Sequence, residues 1–149
     1  MASIQHHVWP GCSTVSAFIV SAKAREALEF AKAAFGAESL DEPLLRADGS
    51  LAHAAIKIGD STIMLGDPRD PQKEHPAFLH IYVPDCDATY EKAVAAGAQG
   101  LVPPSDHFYG DRGGGVVDPA GNTWWIATHV RTLSRAEIRR LAEEEEART

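Results

Sequence analysis

Cysteine is scarce in this chain of 149 residues: the two present, Cys12 and Cys86, make neither a disulfide framework nor a metal-ligand spacing. A reduced, cytoplasmic setting is therefore the expected one. No run of about eighteen apolar residues occurs, which argues against a transmembrane helix. The first residues, through His6 and His7, lack the basic and apolar regions of a signal peptide. Basic residues are also in deficit, and the net charge of -7 argues against a nucleic-acid partner. No glycine-rich loop leads into a helix through Lys-Ser or Lys-Thr. The triple glycine Gly113 to Gly115 enters a strand instead. Neither cysteine sits in an activating motif, so cysteine-based nucleophilic catalysis has no support.

What is present is an ordinary globular composition, 44% apolar and 23% charged, enough to build a core. Residues 14–20 are β-branched and aromatic and predict a strand. From Lys23 to Phe35, Leu28, Ala31 and Phe35 recur at helical spacing, and Gly36 stands where a capping glycine belongs. Residues 39–46 form a weaker strand interrupted by Pro43. Asp48-Gly49 and Gly59-Asp60 are turns, and strands are expected over 52–58 and 62–65.

A polar, proline-punctuated linker occupies 68–77, and then the pattern repeats. A strand over 78–83 leads to Asp85, an N-cap for a helix through Ala96 with Tyr90, Ala93 and Val94 on its buried face. A short strand over 99–102 and a loop over 103–110 follow. Strands over 112–117 and 122–129 flank the turn Asp118-Pro-Ala-Gly121, which reads as turn chemistry and nothing more. Ser134 and Glu137 open a last helix as a capping box, with Ile138 and Leu141 as its apolar contacts. Both halves read strand, helix, strand, strand, strand, so the chain is internally duplicated.

Three stretches resemble PhnB-like proteins of the vicinal oxygen chelate (glyoxalase, bleomycin-resistance and extradiol-dioxygenase) superfamily. They are His53 to Asp67; Leu79 to Asp85 with Ala95 to Ala98; and Phe108-Tyr-Gly-Asp-Arg112 with Val117 to Gly121 and Trp124 to His129. The resemblance implies an α+β fold: one domain over 1–149, made of two βαβββ modules (about 13–67 and 78–130) forming curled mixed sheets around a cleft. A C-terminal helix over about 134–147 completes it, and a homodimer is implied.

Metalloenzymes of that superfamily take one ligand from the first and one from the last strand of each module. On this pattern the positions fall on or beside Val15, around Met64 or Leu65, on His80, and near Trp125. Only His80 can ligate a catalytic divalent ion, since such sites want His and carboxylate donors. His53 or Tyr82 would serve as substitutes only with a shift of strand register. No metal and no cofactor are expected.

The remaining candidates follow from position. His80 and Tyr109 are candidates for proton transfer. His53, Met64, Tyr82, Phe108 and Trp125 are candidates for lining a ligand site, with Trp125 facing inward and Trp124 facing the helix layer. Arg112 is a candidate clamp for a carboxylate or phosphate, though Asp111 and Arg112 also suit pinning of their loop. Asn122 replaces the histidine that the resembling family has after the turn glycine, so no role passes to it. His75, His107 and His129 suit linker, loop and strand-end positions. The expected function is metal-independent small-molecule binding, in sequestration or secondary metabolism. A lyase or isomerase using His80 is the alternative, and a metal-dependent glyoxalase or dioxygenase is disfavoured.

Overall fold

The structure, a computed structural model, describes residues 7–149; His6 and the residues before it lie outside the described residues. By its contacts the chain divides into two compact units, one running through Ala77 and including Pro119–Gly121, the other comprising Phe78–Asp118 and Asn122–Thr149. The boundary falls where the linker was expected to end.

In the first unit the elements are β1 (Ala17–Val20), α1 (Ala24–Phe35), β2 (Glu38–Ser39), β3 (Leu44–Leu45), β4 (Leu51–Ile58) and β5 (Ser61–Gly66). The sheet order is β1-β5-β4-β2, with β3 also on β4. β1 runs parallel to β5, and β4 antiparallel to it. α1 buries Ala24, Ala27, Leu28, Phe30, Ala31 and Ala34, and the sheet contributes Ile19, Ile56, Ile63 and Leu65 to the same core. Burial of each large aliphatic side chain is worth roughly 1.5–3 kcal/mol. Gly36 ends α1 in the left-handed region, its N–H donating to the Lys32 carbonyl and that of Ala37 to the Ala31 carbonyl, as its place in the sequence predicts.

Two differences from the sequence expectation have simple causes. The first strand starts at Ala17 rather than Thr14, because β5 begins at Ser61 and offers its first parallel partner, Ile63, to Ala17. Pro43 splits the weak strand into β2 and β3, having no N–H for a ladder. The linker contains a 3-10 turn over Pro71–Lys73 and returns to β1, with His75 N–H donating to Val20 O.

The second unit comprises β6 (Phe78–Tyr82), α2 (Cys86–Ala95), β7 (Gln99–Asp106), β8 (Asp111–Val117), β9 (Thr123–His129) and α3 (Arg135–Arg148). Its order, β6-β9-β8-β7, with β6 parallel to β9, repeats the first unit strand for strand. Asp85 caps α2 by accepting from Ala88 N–H, and Ser134 caps α3 by accepting from Glu137 N–H.

Within α2, Cys86 and Ala93 are buried; Val94 is exposed and Tyr90 only half-buried, so the buried face is rotated from the expected one. β7 continues through Pro103 and Pro104, where a loop was expected. It lies at the sheet edge, so prolines cost no ladder bond on the open side, and its register slips across them. α3 has no buried residue, and Ile138 and Leu141 are half-buried. Among the described residues no helix is long and apolar enough to cross a membrane.

Candidate functional site

Register assigns the faces. In the first unit Phe18 pairs with Met64, and Met64 with Ala55. In the second, His80 pairs with Trp125, and Trp125 with Gly115. The duplicated topology makes Phe18 the counterpart of His80, and Met64 the counterpart of Trp125. Val15, the first-strand position expected from sequence, precedes β1 and is 83% exposed. Phe18 pairs with Met64 within the first unit, and His80 with Trp125 within the second, at or next to the positions expected from sequence. A phenyl ring, a thioether and an indole do not hold a hard or borderline divalent ion, and one imidazole is too few. The donor set does not fit the metal of those enzymes. No group of three or more His, Cys, Asp or Glu side chains gathers elsewhere among the described residues.

His53 and Met64 do come together. Both line a cavity of about 390 Å³ in the first unit, with Trp9, Cys12 and Ala55 on its wall and the carboxylates of Asp41 and Glu42 beside them. Trp9 Nε1 donates to Asp41 Oδ2 at 3.0 Å, tying the N-terminal segment across this space. The Phe18 and His53 rings meet at 5.9 Å.

His80, Tyr82 and Trp125 share one face of the second sheet, while Trp124 is buried on the other, beneath α2. The triple glycine explains how Trp125 fits. A Cβ at Gly113 would stand 2.9 Å from Trp125 Nε1, and one at Gly115 would stand 3.2 Å from Trp125 Cε3. On the opposite face, a Cβ at Gly114 would stand 2.5 Å from Val102 O. Glycine is needed on both sides of β8, once for the indole and once for the irregular backbone of β7.

The loop before β8 completes an aromatic group. His107 stacks on Tyr109 at 5.4 Å and meets Trp125 at 5.5 Å, and Phe108 packs edge-on against Tyr109. Tyr109 is held above its ordinary pKa, first by burial and then by the charge of Asp111. His80 and Tyr82 rings lie 4.7 Å apart.

Arg112 is not part of this group. It alternates with Asp111 and Gly113 to the helix side of β8. There Nε and Nη2 donate to the two carboxylate oxygens of Asp87 at 2.8 and 3.0 Å, and Nη1 donates to Asp106. Its fork is committed to fastening α2 and β7, leaving the candidate anion clamp occupied.

Asp111, a pinning residue in the sequence, is instead a buried hub. Its side chain is 5% exposed. Tyr82 Oη donates to Oδ2 at 2.7 Å, and His129 Nδ1 lies 2.7 Å from Oδ1. His129 Nε2 lies 2.8 Å from Thr132 Oγ1. Burial pushes the Asp111 carboxyl up, but the hydrogen bonds from His129 and Tyr82 outweigh it and hold the group below its usual range. The same bond raises Tyr82 above the ordinary phenol value, followed by burial and by the Asp111 charge. Sequence reasoning missed this assembly because Asp111 and His129 are 18 residues apart, and only the hairpin register brings them opposite each other. The available signal was the spacing of both residues from the turn at Asp118 to Gly121.

That turn also does more than turn. Asp118 is buried and accepts from Asn122 N–H, Asn122 Nδ2 and Trp124 Nε1, all between 2.9 and 3.2 Å. Asn122 supplies the donors at the position where the resembling family has histidine.

The chain is similar in sequence to several proteins and in fold to several solved structures. An uncharacterised protein of Mycobacterium bovis is 34% identical over 136 residues, covering 83% of this chain and 88% of its own length. An uncharacterised protein of Mycobacterium tuberculosis shows the same identity, with 79% of its length covered. Among solved structures, TioX from Micromonospora sp. ML1 has a TM-score of 0.66 at 22% identity, over 79% of this chain and 99% of that one. The PhnB protein of Bacillus cereus has a TM-score of 0.62 at 17% identity, over 78% and 99%. At these identities the two structures speak for the fold alone. Residues 6–126 match the glyoxalase, bleomycin resistance protein and dioxygenase superfamily, and the chain belongs to that superfamily.

Proposed function

We propose that this protein binds a small, largely apolar molecule without a metal, as a homodimer acting in sequestration or secondary metabolism. The observation that carries the proposal is the cavity of about 390 Å³ in the first unit, walled by Trp9, Ala55 and Met64 with a few polar groups at its side. That volume and lining suit a small organic ligand. The donor set of Phe18, Met64, His80 and Trp125 supports the metal-free part of the reading.

The test combines elemental analysis with binding. Protein lacking the residues before Val8 is purified without added metal and titrated with planar aromatic compounds, following quenching of tryptophan fluorescence. Saturable quenching that survives a chelator, in protein free of stoichiometric metal, is the expected result. Ala55→Trp, which fills the cavity, should abolish it. Near-stoichiometric bound metal lost in His80→Ala, or quenching unchanged by Ala55→Trp, would overturn the reading. A second reading, a lyase or isomerase using His80 with Tyr82 or Tyr109, is favoured by the contact of the His80 and Tyr82 rings. It predicts loss of turnover with retained binding in His80→Ala.

A further inference from the structure

The Tyr82–Asp111–His129–Thr132 assembly has a defined direction of hydrogen bonding. Asp111 is held in its ionised form, so it only accepts, and His129 Nδ1 must carry the proton directed at Oδ1. In the neutral imidazole this leaves Nε2 as an acceptor, and Thr132 Oγ1 donates to it. Tyr82 occupies the second carboxylate oxygen, so Asp111 cannot turn away from the histidine. The outcome is a hydroxyl bonded to a base that is oriented by a buried carboxylate, at 2.8 and 2.7 Å. This is the arrangement by which a weak alcohol nucleophile is activated, and it is defined by geometry rather than by sequence order.

The reacting end is accessible and the supporting end is not. Thr132 is exposed and the His129 side chain is half exposed, while Asp111 is buried. The segment is held in place by the loop that precedes β8. Val130 and Arg131 N–H both donate to the Gly110 carbonyl, and Gly110 sits at φ 103°. A Cβ there would strike the Arg131 carbonyl, so glycine permits the close approach that sets Thr132 against His129.

We propose that Thr132, His129 and Asp111 form a nucleophilic relay that accepts acyl groups from activated esters. This activity is separate from ligand binding and does not rest on the first-unit cavity. His129 Nε2 removes the Thr132 hydroxyl proton as Oγ1 bonds to the ester carbonyl carbon. The bond to the alcohol oxygen then breaks, and His129 passes the proton to that oxygen, leaving acyl-Thr132. A water molecule is deprotonated by His129 and attacks the acyl carbon. Thr132 Oγ1 departs with the proton and the acid is released. The relay itself supplies nucleophile and base, which restricts the class to esters whose leaving group is already good. Thr132 and His129 are the catalytic residues; Asp111 and Tyr82 are positioning residues.

A fluorophosphonate probe and p-nitrophenyl acetate test this on the full chain. The expected result is covalent label on the peptide containing Thr132, absent in Thr132→Val and retained in Thr132→Ser. Thr132→Val should also slow p-nitrophenol release by at least about a hundredfold. Asp111→Asn should slow p-nitrophenol release and Asp111→Glu should restore part of the rate, because the carboxylate orients His129. Absence of label on Thr132, equal hydrolysis by Thr132→Val, or an undiminished rate in folded Asp111→Asn would each overturn the proposal. Because Thr132 is exposed, its variants remain a test even where Asp111→Asn does not fold.

Discussion

Asp111 and His129 face each other as register partners across β8 and β9, with Oδ1 2.7 Å from Nδ1. A buried carboxylate with both oxygens engaged at a strand pair is a stability device whose contribution depends on its charge.

Acid should destabilise the second unit through Asp111. The folded pKa is depressed despite burial, because His129 and Tyr82 bond the ionised form. The unfolded carboxyl titrates near about 3.9. The contribution is therefore complete above that value and is lost as pH falls through the lower, folded value. Asp111→Asn should cost roughly 1–3 kcal/mol at neutral pH. Urea denaturation at neutral and acid pH should show a smaller acid loss in the variant than in the parent chain.

Tyr82 should titrate above the ordinary phenol value, since its hydroxyl proton is held by Asp111. Its raised folded pKa gives stability present below about 10 and lost as pH rises through the folded value. Ultraviolet difference titration of the parent chain and Tyr82→Phe identifies the high-pH step. In Asp111→Asn that step should move down toward the ordinary value.

Gly114→Ala should destabilise more than Gly115→Ala. The first places Cβ 2.5 Å from Val102 O and 2.7 Å from Pro104 N, both backbone, while the second meets the Trp125 ring at 3.2 Å. Overpacking of the first kind costs about 1–3 kcal/mol. Thermal unfolding of the two variants ranks them, and an equal or reversed order would mean that β7 yields easily.

Asp118→Ala should be among the more damaging changes in the second unit. It removes the buried carboxylate that accepts from Asn122 and Trp124. A hydrogen bond to a charged group is worth about 1.5–3 kcal/mol. Chemical denaturation should show a loss well beyond that of Asp60→Ala, an exposed turn carboxylate that accepts from the hydroxyl of its neighbour Ser61.

Much of the architecture was legible in the sequence because it rests on local chemistry. The apolar stripe of α1 and the glycine at its end, the caps at Asp85 and Ser134, and the repeated strand pattern are set by residues a few positions apart. The alternation of Trp124 and Trp125 follows from the period of a strand, and burial of Trp124 with Trp125 on the other face follows that period. The proline-bearing edge strand was read as a loop because proline speaks against a ladder, and only its position at the sheet edge removes the objection.

By itself, then, the sequence determined the duplicated α+β modules and named the candidates His53, Met64, His80, Tyr82 and Trp125. Tertiary structure decided which of them meet. It began β1 at Ala17, which leaves Val15 before the strand and exposed and pairs Phe18 with Met64. It turned Arg112 toward Asp87 and Asp106, and it joined Asp111 and His129, which suit loop and strand-end positions, to Thr132 in one hydrogen-bonded chain. The reason is physical: register and burial come from long-range pairing, and a carboxylate's role depends on which donors that pairing delivers to it.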